Sequence, residues 1–346
     1  MSLRRQPLPC MHLLDWIVFT VWIFYLPRVN KHILSFFLVG VASLLMALFR
    51  FSVPEVLIGG LYLLRWLVYS TLSNVKIQLF KLLPMLGMGM VILGVGQYLL
   101  FPDIRALFPL GWDLHYYRVV GTLLDPGFIG LIFVFTLIYL FLNNFHKLTW
   151  VFTYLTLALT YSRSSYLAFL VGFSLIAYKR KSFKIFLGCL LLLLSTITVL
   201  PRQSDGEGVK LERTSSVWAR AESWKTAWNI FIQNPILGVG FNTYRYAQNA
   251  SAESHAGAGT DASLLLVLAT TGIIGFIFYA KYLKYLWKLG ENDLVLSASL
   301  MAVFVHSFFL NSQFYPHVML WIALLLQHHF YLFTKSVGSP IDNHKN

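Results

Sequence analysis

Val217-Trp218-Ala219-Arg220-Ala221-Glu222-Ser223-Trp224-Lys225-Thr226-Ala227-Trp228-Asn229-Ile230-Phe231 stands out from a chain that is otherwise mostly apolar. Val217, Ala221, Trp224, Trp228 and Phe231 recur at steps of four and three, which places them on one face of a helix. Arg220, Glu222 and Lys225 fall on the other face. A helix with tryptophan on one side and charge on the other suits a membrane surface. The same pattern also fits a helix packed on its own protein. After this helix the chain turns through Asn234-Pro235-Ile236-Leu237-Gly238-Val239-Gly240 and enters a new apolar run behind Asp261.

Composition explains why such a stretch is exceptional. Of 346 residues, 57% are hydrophobic and 12% charged, with a mean hydropathy of +0.66. Soluble domains carry roughly twice that share of charge. Several apolar runs approach about 20 residues, the length of a bilayer-crossing helix. Backbone polar groups in lipid must be paired internally, so the runs are read as helices, and the short alternating segments of a membrane barrel are not seen. The fold class is therefore all-α: a polytopic transmembrane helical protein, taken as a single integral-membrane domain over residues 1–346. The net charge of +13 does not point to nucleic acid, since much of it sits in short loops between spans. Cys10 and Cys189 are far apart in apolar contexts and form neither a disulfide framework nor a metal site. No cofactor is expected. Met1 to Pro9 is short and basic with no small-residue cleavage site after it, so the first span is expected to stay in place.

The expected spans are 12–27, 31–49, 55–73, 78–100, 126–144, 147–161, 163–179, 183–200, 262–286, 293–311 and 314–333, about eleven within a range of ten to twelve. Lys179, Arg180, Lys181 and Lys184 form the densest short basic loop, which the positive-inside rule places in the cytoplasm. Lys281, Lys284, Lys288 and Lys335 agree with that polarity. Phe101–Asp125 and a large loop over 201–260 then face outward. Arg4 and Arg5 compete with Arg28 and Lys31, and leave the sidedness of the N-terminus open. Gly206 and Gly208 open the large loop, and Ser251 to Thr260 is rich in glycine and alanine.

The residues able to carry chemistry gather on the outward side. Arg163 lies in Tyr161-Ser162-Arg163-Ser164-Ser165, where two spans meet almost without a connection. An arginine at that depth either pairs, snorkels or faces a polar cavity. Its guanidinium fork matches phosphate oxygens. Arg213, Arg220 and Arg245 bracket the amphipathic helix and its turn, and Arg118 lies on the earlier loop with Asp113 and His115. Asp261 either caps the helix that follows it or serves as a general base. His255, whose ordinary pKa lies near neutrality, is the other candidate for proton transfer and is favoured as the base, with Asp261 orienting it or the acceptor. Arg65 interrupts a span and requires a partner or a cavity. His306, His317, His328 and His329 match no closed metal site and are read as packing or interfacial residues.

Taken together, Arg220 followed by Trp224, then Asn234 to Gly240, then Asp261, Leu264 and Thr271-Gly272-Ile273-Ile274-Gly275, resemble the O-antigen ligase and polysaccharide polymerase superfamily. Gly121-Thr122…Pro126 and Thr160-Tyr161-Ser162-Arg163 fit the same pattern, so the resemblance covers residues 118–275. It implies a bacterial inner-membrane glycosyltransferase with its active site facing outward. It also implies a polyprenyl-diphosphate-linked glycan donor, a glycan, lipid or protein acceptor, inversion at the anomeric carbon, and no metal. Arg163 and Arg220 would then hold the diphosphate, with Arg118, Arg213 and Arg245 near it, and His255 and Asp261 would move the proton. Many relatives carry a His-Asn pair where this chain has Asp261 and Ala262. The competing class is a transporter or flippase for lipid-linked saccharides, which would place polar groups in broken helices near the midplane.

Overall fold

The computed structural model describes residues 13–110, 112–201, 207–248 and 259–337. Cys10, Gly206, Ser254 and His255 lie outside them. Apart from one isolated bridge between Asp103 and Tyr116, the regular structure of the described residues is helical. Each expected span holds a helix. They are α1 (Leu13–Tyr25), α2 (Lys31–Ala47), α3 (Val53–Thr71), α4 (Leu83–Leu100), α5 (Pro126–Leu142), α6 (Lys147–Ala158), α7 (Arg163–Lys179) and α8 (Phe183–Val199). After the large loop, which carries α9 (Ser215–Gln233) and the short α10 (Tyr244–Ala247), come α11 (Ser263–Gly290), α12 (Leu294–His306) and α13 (Pro316–Val337).

Three helical stretches, Val53–Asn74, Leu79–Leu100 and Ser263–Gly290, are long and apolar enough to cross a membrane, and several shorter apolar helices accompany them. The protein is a multi-pass membrane protein. Two expected helices end early for visible reasons. α6 stops at Ala158 because Tyr161 takes a left-handed conformation (φ 49°) that turns the chain directly into α7. α12 stops at His306, where the chain bends through Phe308 to Asn311 to wall a cavity.

The centre of the bundle is α5, which is apolar on nearly every side and buried along most of its length. Its start is fixed by Asp125, whose carboxylate accepts from the amides of Gly127 and Phe128 at 2.7 and 2.9 Å, and by Pro126 in the first turn. α7 and α12 pack closely through small residues. Gly172 stands where an added Cβ would lie 3.4 Å from the Ala298 carbonyl oxygen and 3.5 Å from the Ala302 methyl. Close backbone approach is the usual means of association where lipid removes the hydrophobic drive between helices.

α11 is not one continuous helix. Gly272 sits at φ 64°, ψ −167° and divides it. The turn from Asn234 to Gly240 fills the break with its own backbone. The Val239 and Gly240 amides donate to the carbonyls of Ala269 and Thr270 at 3.0 and 2.9 Å, and the Ile273 amide donates to Pro235 at 2.8 Å. The Ser43 hydroxyl of α2 adds a second donor to Thr270, at 2.6 Å. Polar backbone exposed by a broken membrane helix must find partners within the protein. Here the sequence motif itself supplies them.

α9 reverses one expectation. Ser216, Arg220, Ser223, Ala227 and Ile230, at steps of four and three, form the side packed on the protein. Val217, Trp218, Trp224 and Trp228 are exposed, Trp218 at 70%. Arg220 is thus not on the solvent side with Glu222 and Lys225. Small side chains at Ser223 and Ala227 let α9 approach α11, and that approach turns the tryptophans outward.

Candidate functional site

A cavity of about 520 Å³ opens where α3, α5, α11 and α13 meet the loops after α4, α9 and α12. Three of its lining residues are carboxylates: Asp113, Asp125 and Asp261. Aromatic rings supply much of the rest, including Tyr62, Trp112, Phe128, Phe314 and Tyr315. Phe128 and Tyr315 stack with centroids 3.9 Å apart. The combination of flat rings and acceptor oxygens suits a polyhydroxylated ligand, whose C–H faces stack while its hydroxyls donate.

Asp261 is placed by α9. Its backbone amide donates to the Ser223 hydroxyl at 3.1 Å, and Ser223 also meets Thr260 at 3.1 Å. It does not cap α11. The N-cap is Ala262, and the Ser263 amide is satisfied by the Ser307 carbonyl at 2.9 Å. The carboxylate of Asp261 therefore faces the cavity, and no described residue donates a hydrogen bond to it. Burial raises its pKa; Arg220 opposes that rise, while Asp125 and Asp113 add to it. Asp125 is raised as well, by burial, against the two amides it accepts from.

Arg220 comes from the inward side of α9. Its Nε donates to the Phe309 carbonyl at 3.1 Å, just before the lining residues Leu310 and Asn311. Burial and the neighbouring charge of Arg163 lower its pKa, and Asp261 and Asp125 restore part of it. Its guanidinium also lies over the Phe309 ring, at 6.0 Å to the centroid. Arg163, at the first turn of α7, holds the large loop instead. It donates to the carbonyls of Leu211 and Arg213 at 3.2 and 3.0 Å and to the Ser216 hydroxyl at 2.7 Å.

Arg118 and Arg213 are also engaged with backbone. Arg118 donates to Thr160 and Tyr161 at 3.0 and 3.3 Å, and Arg213 to Gly208 and Lys210 at 2.8 and 3.0 Å. Burial, then the charge of Arg213, pushes Arg118 down to about 9, which leaves it charged at neutral pH. His115 lies beside both with neither ring nitrogen partnered among the described residues, and burial drives its pKa down to about 3, so it is neutral. None of the five expected arginines, Arg118, Arg163, Arg213, Arg220 and Arg245, is among the residues that line the cavity. Arg245 sits on α10, whose Tyr246 packs on Phe51 after α2. Arg220 is the expected arginine whose charge acts on Asp261, while Arg118, Arg163 and Arg213 hold backbone carbonyls of the surrounding loops.

Arg65 satisfies both demands placed on it. It pairs with the buried Asp15 of α1 at 2.6 Å, lies over the Tyr62 ring at 4.7 Å, and lines the cavity. Tyr69 donates to the same carboxylate at 3.0 Å. His306 is a packing residue, as expected, meeting the hydroxyls of Ser165 and Ser312 at 3.3 and 2.6 Å. No group of three His, Cys, Asp or Glu is placed to hold a metal among the described residues. Asp113, named from sequence only as a neighbour of Arg118, lines the cavity, and Asp125, Asn311 and Tyr315 are cavity residues that sequence alone does not assign. Only Asp125 carries a local signal, as an acid directly before the proline that starts a helix.

Residues 148–280 match the family model described as O-antigen ligase. The matched segment begins in α6 and ends inside α11, so it contains Arg163, Arg220, Asp261 and the turn that fills the break at Gly272. Arg65, Asp113, Asp125 and Asn311 lie outside the matched segment. No curated protein matches the chain.

Proposed function

We propose that this protein is a bacterial inner-membrane glycosyltransferase that moves a glycan from a polyprenyl-diphosphate carrier to a saccharide, lipid or protein acceptor on the outer side of the membrane. The observation that carries the reading is Asp261 on the wall of an aromatic, carboxylate-lined cavity, under the electrostatic influence of Arg220, within a segment that matches the O-antigen ligase model. An acceptor hydroxyl has a pKa far above neutrality, so its attack gains from a proton acceptor within reach. Asp261 takes that proton. The acceptor oxygen forms its bond to the anomeric carbon from the face opposite the diphosphate, the bond from that carbon to the diphosphate oxygen breaks, and the configuration inverts. Arg220, with the charge of Arg163 behind it, offsets the negative charge on the departing diphosphate. Arg163, Arg118 and Arg213 keep the loop in place for that role. His255 is the second proton-transfer candidate on the same loop.

The broken helix α11 is the feature that a transporter reading would favour. Its exposed backbone is paired with the 234–240 turn and not held open for a ligand. That supports an enzyme over a flippase.

The test is transfer by purified protein in proteoliposomes, supplied with a polyprenyl-diphosphate-linked oligosaccharide and an acceptor. Arg220→Lys and Arg163→Lys keep the charge and lose the fork, and both should insert normally while losing most transfer. Asp261→Asn should retain donor binding and lose turnover, and His255→Gln reports whether that residue shares the role. Wild-type rates from both the Asp261 and the His255 variants would end the proton-transfer reading.

A further inference from the structure

The carboxylate cavity carries a local charge opposite to that of the chain. The protein's net charge is +13, yet among the described lining residues Asp113, Asp125 and Asp261 are joined by a single arginine, Arg65, and no lysine. Arg65 does not offset them, because its Nη2 already pairs at 2.6 Å with Asp15, a fully buried carboxylate. The three aspartates act on one another. The charges of Asp125 and Asp113 both raise the pKa of Asp261, and Asp113 raises that of Asp125. Asn311 adds a further acceptor, a buried Oδ1 with no hydrogen-bond partner among the described residues. The polar side of the chamber is therefore built to accept hydrogen bonds. Sugar hydroxyls and amines donate them, whereas an ionised carboxylate only accepts. A uronic acid or a phosphorylated sugar would enter as a fourth negative charge in a partly dehydrated space, where like charges repel far more than in water.

Two of the aspartates have other duties. Asp125 fixes the start of α5 through the Gly127 and Phe128 amides, and Asp261 is the proton acceptor of the transfer reading. Asp113 has neither. It lies on the loop between α4 and α5, outside the segment that matches the O-antigen ligase model, and its exposure places it at the mouth of the chamber. We propose that this chamber takes glycans whose sugars carry no carboxylate or phosphate, and that Asp113 is the specificity-determining residue that discriminates against acidic ones. A repelling group set against the wrong ligand is a general route to specificity. The carrier's diphosphate is served by Arg220, which is not on this lining, so the exclusion applies to the sugars. That the ligand is a glycan rests on the glycosyl-transfer reading; the sign of the field in the chamber does not.

The test uses the full-length protein in nanodiscs and saturation-transfer NMR with soluble methyl glycosides in matched pairs. Methyl glucoside, galactoside and mannoside are each set beside the uronide that differs only in a terminal carboxylate. Wherever a pair binds, the neutral member should bind at least about tenfold tighter at low salt, and the gap should shrink as salt is raised. Asp113→Asn should narrow the gap at least about threefold by raising uronide affinity, while Asp113→Glu, which keeps the charge, should hold it. Equal or tighter uronide binding, as expected if Arg65 received the carboxylate, would overturn the proposal, and so would binding by no pair. A gap unchanged in Asp113→Asn would overturn the role of Asp113. Selective binding without glycan transfer by the wild type would remove the transferase reading and leave the charge selection standing. Transfer of neutral and uronic-acid-bearing glycans at equal rates would do the reverse.

Discussion

Gly272→Ala is the most direct test of how the motif turn and the broken helix depend on each other. At φ 64° and ψ −167°, Gly272 occupies a region that is essentially closed to other residues, and entering it costs an L-residue about 1–3 kcal/mol. The methyl would also stand 2.3 Å from the Ile236 carbonyl oxygen and 2.4 Å from its carbon. Both are backbone atoms of the turn and cannot rotate aside. Relief requires the turn to withdraw, which breaks the bonds from Ile273 to Pro235, Val239 to Ala269 and Gly240 to Thr270. At about 1 kcal/mol each this adds roughly 3 kcal/mol, and more where no water replaces the lost partner. The sum is about 4–6 kcal/mol, comparable to the whole stability of many domains. Detergent-solubilised protein followed by size-exclusion fluorescence during a thermal ramp should show a fall of at least about 8 °C, taking roughly 2 °C per kcal/mol for a large domain. Gly89→Ala on α4, where an added Cβ meets nothing within 4 Å, is the control and should not lower the transition. A Gly272→Ala protein melting within about 2 °C of wild type, less than about 1 kcal/mol on that scale, would refute the reasoning.

The buried pair of Asp15 and Arg65 should behave as a unit: Arg65→Gln alone leaves a buried carboxylate uncompensated and should destabilise by about 3–5 kcal/mol, while adding Asp15→Asn should recover most of it in the same thermal assay. Transfer by the wild type should rise with pH through the raised pKa of Asp261, because only the ionised carboxylate accepts a proton. Asp113→Asn removes a like charge that helps raise that pKa, so this limb should move to lower pH, and an unmoved limb in the rate profile would take Asp261 out of the proton path. In a variant lacking the native cysteines, Thr214→Cys should react with an impermeant maleimide on intact cells and Glu291→Cys only after permeabilisation, with the opposite pattern defeating the outward-facing arrangement.

Much of the helical layout is legible because it rests on long apolar runs. The lengths are less so, since the ends of α6 and α12 depend on a left-handed Tyr161 and on a loop that folds back to wall a cavity. The face of α9 was legible as a period and not as a direction. Period alone separates Val217, Ala221, Trp224 and Trp228 from their neighbours, yet the packed side, one residue earlier at each step, is chosen by how closely Ser223 and Ala227 let the backbone approach α11. Arginine roles were legible only as a set. Five guanidiniums on one side of a membrane protein raise the expectation of anion binding, but a carbonyl of Leu211 or Thr160 competes for the same donors. Which arginine binds backbone is decided by tertiary contacts that no spacing encodes.

The matched segment contains the charged pair and does not contain the whole chamber. Asp261 faces a cavity whose other carboxylates, Asp113 and Asp125, come from the loop before α5, and whose far wall is Tyr62 and Arg65 of α3 together with Asn311 and Tyr315 after α12. The order of these contributions has a physical logic. The 234–240 turn fixes the break in α11 and reaches α3, where the Phe241 carbonyl lies within 2.6 Å of a Cβ position at Gly59. Ser263 at the top of α11 is held by Ser307 and in turn receives the Gln313 amide, at 3.2 Å. One rigid element therefore sets α3, α9 and the loop after α12 relative to Asp261. Variation in the loop before α5 and in the loop after α12 can then reshape the ligand-facing walls without moving the Asp261–Arg220 pair. In the proposed transferase, that separation assigns reaction chemistry to the matched segment and glycan selection to the residues outside it.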